Sequence, residues 1–349
     1  MTFDEAYPTR KMEETKKFLR DVWSGKEKTV YSAFRSEPAY RQLDDPVEMA
    51  HKAARNILLN AEVPGFNIPR ILADFSTVSM PAYWGGERYK PVGGCVGIRP
   101  VIENAADVGK ARPTDATGGD VKKAVRLWRT VSKELQTNRL PCSFIDIQGP
   151  LNTAAMLWKQ DEFMMAMIYE PVTVHMLLEQ VTEQLIRIIK AMIAEIGLMS
   201  GPLWPYIWLP TDIGVGIIED YMPLISPKLY REFSIPYVQR ISEAFGGVFI
   251  HCCGTYEHQL DNLAHSQINI LGMEFHYPYV KPETIFQAFG SSTVIVPMLG
   301  PHGRAEFPDQ ADYILFLKRR RLSETRLWFL LSPEADSFNR QAEIVEGMM

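Results

Sequence analysis

Four cysteines in 349 residues are too few for the disulfide framework of a secreted scaffold, and two of them, Cys252 and Cys253, are adjacent. A core of this size needs no such staples, so Cys95 and Cys142 read as small packing residues. Long apolar runs are absent as well. The most apolar helical stretch, Val181–Met199, is interrupted by Glu183, Arg187, Lys190 and Glu195, well short of the ~20 apolar residues a membrane span needs. Met1–Arg10 is polar and carries no apolar leader core. Positive charge is in deficit: 37 Lys and Arg stand against 42 Asp and Glu, for a net charge of -5. A general nucleic-acid binder carries a basic face, and the one basic run, Lys318–Arg321, closes a predicted helix where it complements the dipole. These absences predict a soluble cytoplasmic protein with neither nucleic acid nor membrane as a partner.

What is present is an ordinary globular composition, 46% hydrophobic and 23% charged, with a change of period along the chain. The first 64 residues read as helical. One helix starts at Pro8-Thr9 and ends near Gly25, and a second follows the acidic entry Asp44-Asp45-Pro46. Short apolar strands then alternate with helices. Strands are predicted at Asn67–Asp74, Cys142–Gln148, Trp204–Leu209, Ile213–Glu219, Val248–Cys253, Ile268–Glu274, Thr293–Leu299 and Leu327–Leu331. Met80–Gly97, rich in glycine and proline, reads as a loop excursion. Ser226-Pro227 opens a helix that Pro236 kinks before Phe245. Such alternation implies a parallel sheet. About eight units without a Gly-x-Gly-x-x-Gly turn favour a closed (β/α)8 TIM-type barrel over an open doubly wound sheet. The expected organisation is α/β, with a helical N-terminal extension over 1–64 and the barrel over 65–349.

A barrel of this kind places its active site at the C-terminal ends of the strands, and many polar side chains fall there. They are Asp74, then Asp146 and Gln148, then Glu219 and Asp220, then His251 to Cys253. Glu274 and His276 follow, then His302, and last Ser332, Glu334 and Asp336. The sharpest element is Ile250-His251-Cys252-Cys253-Gly254. Side chains alternate along a strand, so His251 and Cys253 face one way and Cys252 the other. Imidazole and thiolate are both preferred zinc ligands, and this pair makes half a zinc site. The alternative reading is a buried, hydrogen-bonded histidine beside two packing cysteines.

At this motif the chain resembles the uroporphyrinogen decarboxylase superfamily, which includes cobalamin-dependent methyltransferases that move a methyl group from a corrinoid to a thiol. The resemblance spans most of 65–335. It is carried by Gln148-Gly149-Pro150-Leu151-Asn152, by Pro223–Pro227 followed by Arg231-Glu232-Phe233 and Pro236-Tyr237, and by His251-Cys252-Cys253-Gly254. It implies the barrel fold. The arginine-rich segment with which true uroporphyrinogen decarboxylases bind their substrate's carboxylates is missing; Arg35 and Arg41 are lone candidates. The methyltransferase branch is therefore the nearer in its site motif, and it implies His251 and Cys253 as zinc ligands. Its later cysteine falls at Ala335, which leaves Glu334 as the candidate third ligand, with His302, Glu274 or His276 as further candidates.

On this resemblance Asp74, Glu219 and Asp220 are the expected catalytic residues. Tyr83, Trp84, Gln148, Trp208, His276 and His302 are expected to bind substrate, with Trp204 and Tyr206 extending an aromatic wall for a tetrapyrrole plane. Zinc would be the cofactor, because coordination deprotonates a thiol substrate. No Asp-x-His-x-x-Gly segment accompanies the seven histidines, so the corrinoid would arrive on a separate carrier protein. The other substrate would be a small thiol or carboxylated molecule, and a homodimer remains open. Two alternatives stand beside this reading. One is a metal-free decarboxylase of a tetrapyrrole or other polycarboxylate, acting from Asp74. The other is a non-catalytic tetrapyrrole or corrinoid binder.

Overall fold

The computed structural model describes residues 2–35, 45–91 and 94–349; Asp44 and Arg41 lie outside them. Six parallel strands form one sheet: β1 (Thr29–Ala33), β2 (Val215–Ile218), β3 (Val248–His251), β4 (Ile270–Tyr277), β5 (Val294–Leu299) and β6 (Arg326–Leu331), in the order β1-β6-β5-β4-β3-β2. Two extended segments close the ring. Ile218 N–H donates to Ile147 O at 3.0 Å and Gly149 N–H to Ile218 O at 2.8 Å, which fastens 142–148 to β2. Ser143 N–H donates to Ile71 O at 2.8 Å and Ile71 N–H to Pro141 O at 2.9 Å, which fastens 68–74 to 142–148. Phe66 N–H donates to Tyr31 O at 3.1 Å, part of an isolated antiparallel bridge at Gly65 that brings the start of 68–74 beside β1. These eight members make the (β/α)8 barrel.

Two expectations change. Thr29–Ala33, inside the stretch read as a helical extension, is a fully buried strand paired in register with β6 from Thr29↔Leu327 to Ala33↔Leu331. The barrel therefore starts before residue 65. The stretch Trp204–Leu209, expected as a barrel strand, instead belongs to a hairpin whose two short arms, Ser200–Gly201 and Leu209–Pro210, are antiparallel. This hairpin folds into the barrel. Arg70, itself buried, donates to Ser200 Oγ at 3.1 Å, to Pro202 O at 3.1 Å and to Ile207 O.

The helices follow their local signals. Thr9–Ser24 stops at Gly25, whose φ of 79° is a left-handed cap. Pro46–Ala61 starts where Asp45 Oδ1 accepts Val47 N–H at 2.8 Å. The expected kinked helix breaks at Ser234 into Pro227–Phe233 and Ile235–Phe245. Met80–Gly97 holds a short turn of helix, Pro81–Trp84, and a two-residue hairpin arm at Arg88–Tyr89. Buried Asp120 ties this excursion down, accepting from Ser79 Oγ at 2.7 Å and pairing with Arg88.

Strand parity sorts the core. Val248, Ile250, Met273, Phe275 and Ile295 pack outward against the helices. Val30, Phe249, Val294, Val296 and Trp328 fill the barrel's lower half together with Ile207, Trp208 and Leu209 from the hairpin. Trp328 Nε1 donates to Ser32 Oγ at 3.0 Å, so this apolar plug leaves the indole N–H satisfied. Below it lies the helix Thr9–Ser24, where Trp23 Nε1 donates to Trp208 O at 2.8 Å. Arg20 forks onto Asp212 with two bonds of 2.9 Å. No helix among the described residues is long and apolar enough to cross a membrane.

The plug depends on a missing side chain at position 216. A Cβ on Gly216 would sit 2.1 Å from Pro202 Cβ and 2.8 Å from its Cα. Gly216→Ala is expected to destabilise the chain by about 1–3 kcal/mol, the usual cost of overpacking a core. A lowered urea midpoint with an unchanged slope checks it; an unchanged midpoint refutes the plug as drawn.

Candidate active site

The inward parity that sends Phe249 into the plug sends His251 and Cys253, two and four residues on, into the open upper half. Cys252 points outward and is fully buried. His251 is the last residue of β3, and β2 ends one strand away with Glu219-Asp220 behind it. Asp220 meets the β3 terminus directly. Its Oδ1 accepts Cys253 N–H at 3.0 Å and lies 3.4 Å from Cys253 Sγ and 4.0 Å from His251 Nε2. One donor atom from each of Asp220, His251 and Cys253 lies within 4.8 Å of the others.

The neighbouring strand β4 orients the histidine. Glu274 Oε2 takes His251 Nδ1 at 2.7 Å, and Glu274 Oε1 takes His276 Nε2 at 2.7 Å. With Nδ1 engaged, Nε2 is the nitrogen presented to Asp220 and Cys253, which is the arrangement of a carboxylate–histidine–metal triad. Burial works to raise the Glu274 carboxyl, but the two imidazoles prevail and bring it down to about 2. Burial likewise opposes charge on His251, and Glu274 with Asp220 overcomes it, holding the imidazole well above its ordinary range. The pocket between these groups thus favours a positive charge, and a divalent cation meets that demand as well as a proton does. By donor type and by spacing, these residues fit zinc.

Beside this cluster, with Gln148 level with Ile218 and so with His251, lies a polar group from 68–74 and 142–148. Asp74, Asp146 and Gln148 are all buried. Gln148 Nε2 donates to Asp146 Oδ1 at 2.6 Å, and Gln148 Oε1 accepts from Asn152 Nδ2 at 2.9 Å. Asn152 Oδ1 in turn accepts Tyr221 N–H at 2.9 Å, so the group is linked to the residue after Asp220. Burial pushes the Asp146 carboxyl up to about 7; the Gln148 bond pulls it down and the Asp74 charge pushes it further up. In the sequence Asp146 is one strand-end acid among several. Only its burial, which a single sequence does not display, separates it from other strand-end acids.

The remaining expected site residues are dispersed. Glu334 is exposed and stands outside the Asp220–His251–Cys253 group, so Asp220 occupies the place expected of Glu334. Glu219 faces away from the cluster and is fully buried. It accepts from Ser234 Oγ at 2.7 Å and Tyr230 OH at 3.4 Å, and burial raises its carboxyl to about 7. Its Oε1 lies where a Cβ on Gly149 would come within 1.8 Å, which explains the glycine of the Gln-Gly-Pro motif. The Tyr230 and Ser234 bonds likewise explain part of the long helical motif. Tyr83 spends its hydroxyl on Gly118 O at 3.0 Å and on Val121 N–H at 3.1 Å, at the start of the helix Gly119–Glu134. Trp84 is buried beside it.

Trp208 belongs to the lower plug, with Arg20 5.7 Å over its ring. Tyr206 stacks instead on Phe34, just past β1, with centroids 4.4 Å apart, and Trp204 packs tilted against Tyr206 at 4.3 Å. The aromatics expected as one tetrapyrrole wall thus fall in two places, Tyr83 and Trp84 in the short helix Pro81–Trp84 and Trp204, Tyr206 and Trp208 in the hairpin. His276 joins the cluster through Glu274. His302 is exposed on the rim, edge-on to Tyr279 at 6.2 Å.

With the barrel and the strand-end cluster in place, two comparisons with known proteins bear on them. The uroporphyrinogen decarboxylase (URO-D) family model matches residues 214–296, the segment from β2 into β5 that supplies Asp220, His251, Cys253 and Glu274. The resemblance seen in the sequence motifs thus holds over this segment. In fold, the chain is similar to a methyltransferase from Methanosarcina mazei, with a TM-score of 0.69 and 15% sequence identity over 96% of this chain and 98% of that one. No curated protein matches in sequence.

The Asp146 carboxyl gives a pH test. A carboxyl raised from 3.8 to about 7 contributes stability that is fully present below its unfolded value and is lost as pH rises through the folded one. Asp146→Asn keeps the neutral shape at every pH. The wild type should therefore lose stability relative to this variant between about pH 4 and pH 8. Parallel melting curves across that range would contradict the assignment.

Proposed function

We propose that the chain is a methyltransferase-like enzyme that transfers a methyl group between a corrinoid carried on a separate protein and a thiol activated by zinc. The observation that carries this is the convergence of Asp220, His251 and Cys253 at the ends of β2 and β3, with Glu274 fixing the ring. His251 Nε2, Cys253 Sγ and an Asp220 oxygen would hold the ion. When bound, zinc supplies a Lewis acid that keeps an incoming thiol deprotonated at neutral pH. The chain's own residues do the rest. Glu274 locks the imidazole tautomer, Asp220 fixes the Cys253 backbone, and the buried polar group of Asp146 and Gln148 lines the site beside them. The apolar plug below excludes water from that side.

One observation favours a second reading. Asp74 and Asp146 are both buried at the mouth, and a carboxyl held near 7 can deliver a proton at neutral pH. That is the equipment of a decarboxylase acting on a polycarboxylate without metal.

Elemental analysis separates the two. The full chain purified with zinc should bind one ion per molecule. Cys253→Ala and His251→Ala should lose it, Glu274→Gln should weaken it about 10–100-fold, and Glu334→Ala should keep it. Wild type, but not Cys253→Ala, should then demethylate methylcobalamin in the presence of a small thiol. Zinc retained by Cys253→Ala, or none in the wild type, would overturn the methyl-transfer reading.

A further inference from the structure

After its polar opening Gln160-Asp161-Glu162, the helix Gln160–Tyr169 is apolar on every side. Phe163, Ala166 and Met167 are buried against the barrel, while Met165, Ile168 and Tyr169 on the outer face are 51, 60 and 71% exposed. The long helix Pro171–Ile196 begins immediately afterwards and continues the strip with Val172 at 73% and Met176 at 50%. Helices that are apolar on every side are normally covered, and five such side chains together expose on the order of several hundred Å², the size at which a patch on a soluble protein marks an interaction surface.

Charge selects the occupant. From 160 to 186 the chain has five carboxylates and no lysine or arginine. Glu179 and Glu183 are answered by Arg240 and Arg187, and Asp161 lies 3.9 Å from Lys159. Glu170, at the junction of the two helices and between Tyr169 and Val172, is exposed, and Glu162 is exposed one turn before Met165. A second copy related by a two-fold axis at the junction of the two helices would set Glu170 against Glu170, an unfavourable pairing. A lysine or arginine lays its apolar stem on such a strip and brings its cation to the carboxylate.

We infer that this face docks a partner protein through an amphipathic helix with an apolar stripe and basic flanks. The surface also borders the candidate site. Tyr221, next to Asp220, places its hydroxyl 3.0 Å from Met164 Sδ and its ring edge-on to Phe163. A partner seated here lies at the rim of the barrel mouth. The inference goes beyond the proposed chemistry and does not depend on bound metal.

Two fluorescent 18-residue model helices test it against the full chain by anisotropy. Both carry a leucine stripe, flanked by lysine in one and by glutamate in the other. The lysine helix should bind at least tenfold more tightly than the glutamate helix. Ile168→Asp combined with Val172→Asp should abolish that binding, and Glu170→Lys should reverse the preference. The sites are exposed, and unchanged melting of each variant shows that the fold is kept. Met176→Lys serves as a second variant where the double one melts early. Equal binding of both helices, binding that survives the patch variants, or no binding overturns the inference. So does a dimer that sediments as a monomer once Ile168 and Val172 are replaced.

Discussion

A single buried carboxylate organises the mouth of the barrel. Glu274 has almost no contact with solvent, and isolated charge at such a position costs several kcal/mol. It is tolerated because both of its oxygens are taken, one by His251 and one by His276, each at 2.7 Å. That pairing fixes the tautomer and tilt of His251, which sets where Nε2 points, and hence where Asp220 and Cys253 meet it. Strands β2, β3 and β4 each contribute one part, and the register of the sheet, with Ile218 beside His251, brings the parts level. A one-residue slip of β3 would turn His251 and Cys253 into the helical layer and bring Cys252 inward.

Much of this was legible in the sequence because it follows from a period of two. Parity alone places His251 and Cys253 together, and the strand ends locate Asp74, Gln148 and His276. What parity does not supply is distance across strands. Asp220 was expected as a catalytic acid, yet it lies in ligating range of His251 and Cys253, while Glu334, suggested by a motif position, stays in solvent. Glu219 is adjacent to Asp220 in sequence but serves the opposite face, where Ser234 and Tyr230 bind it.

The barrel count of eight came from two compensating departures. Thr29–Ala33 is only five residues long and sits between two strong helices, so its β-branched and aromatic residues do not show a period. Trp204–Leu209 has the composition of a strand, but it folds inward as a hairpin in which Pro205 and its aromatics are packed. The misplacement of Trp208 follows directly: as a barrel strand it would have reached the mouth, whereas in the hairpin it anchors the plug over Trp23.

That plug has a kinetic meaning. With the hairpin filling the lower barrel and the helix Thr9–Ser24 sealed beneath it, the barrel is a cup with one opening. Among the described residues the plug and the helix Thr9–Ser24 fill the lower end, which leaves the upper end as the approach to His251. For any two-substrate reaction carried out there, order of arrival becomes a property of the architecture, since the molecule that binds deeper must come first and depart last. Its product then competes with the next molecule for an occupied doorway. A reaction carried out there would be paced as much by who clears the entrance as by the bond that is made.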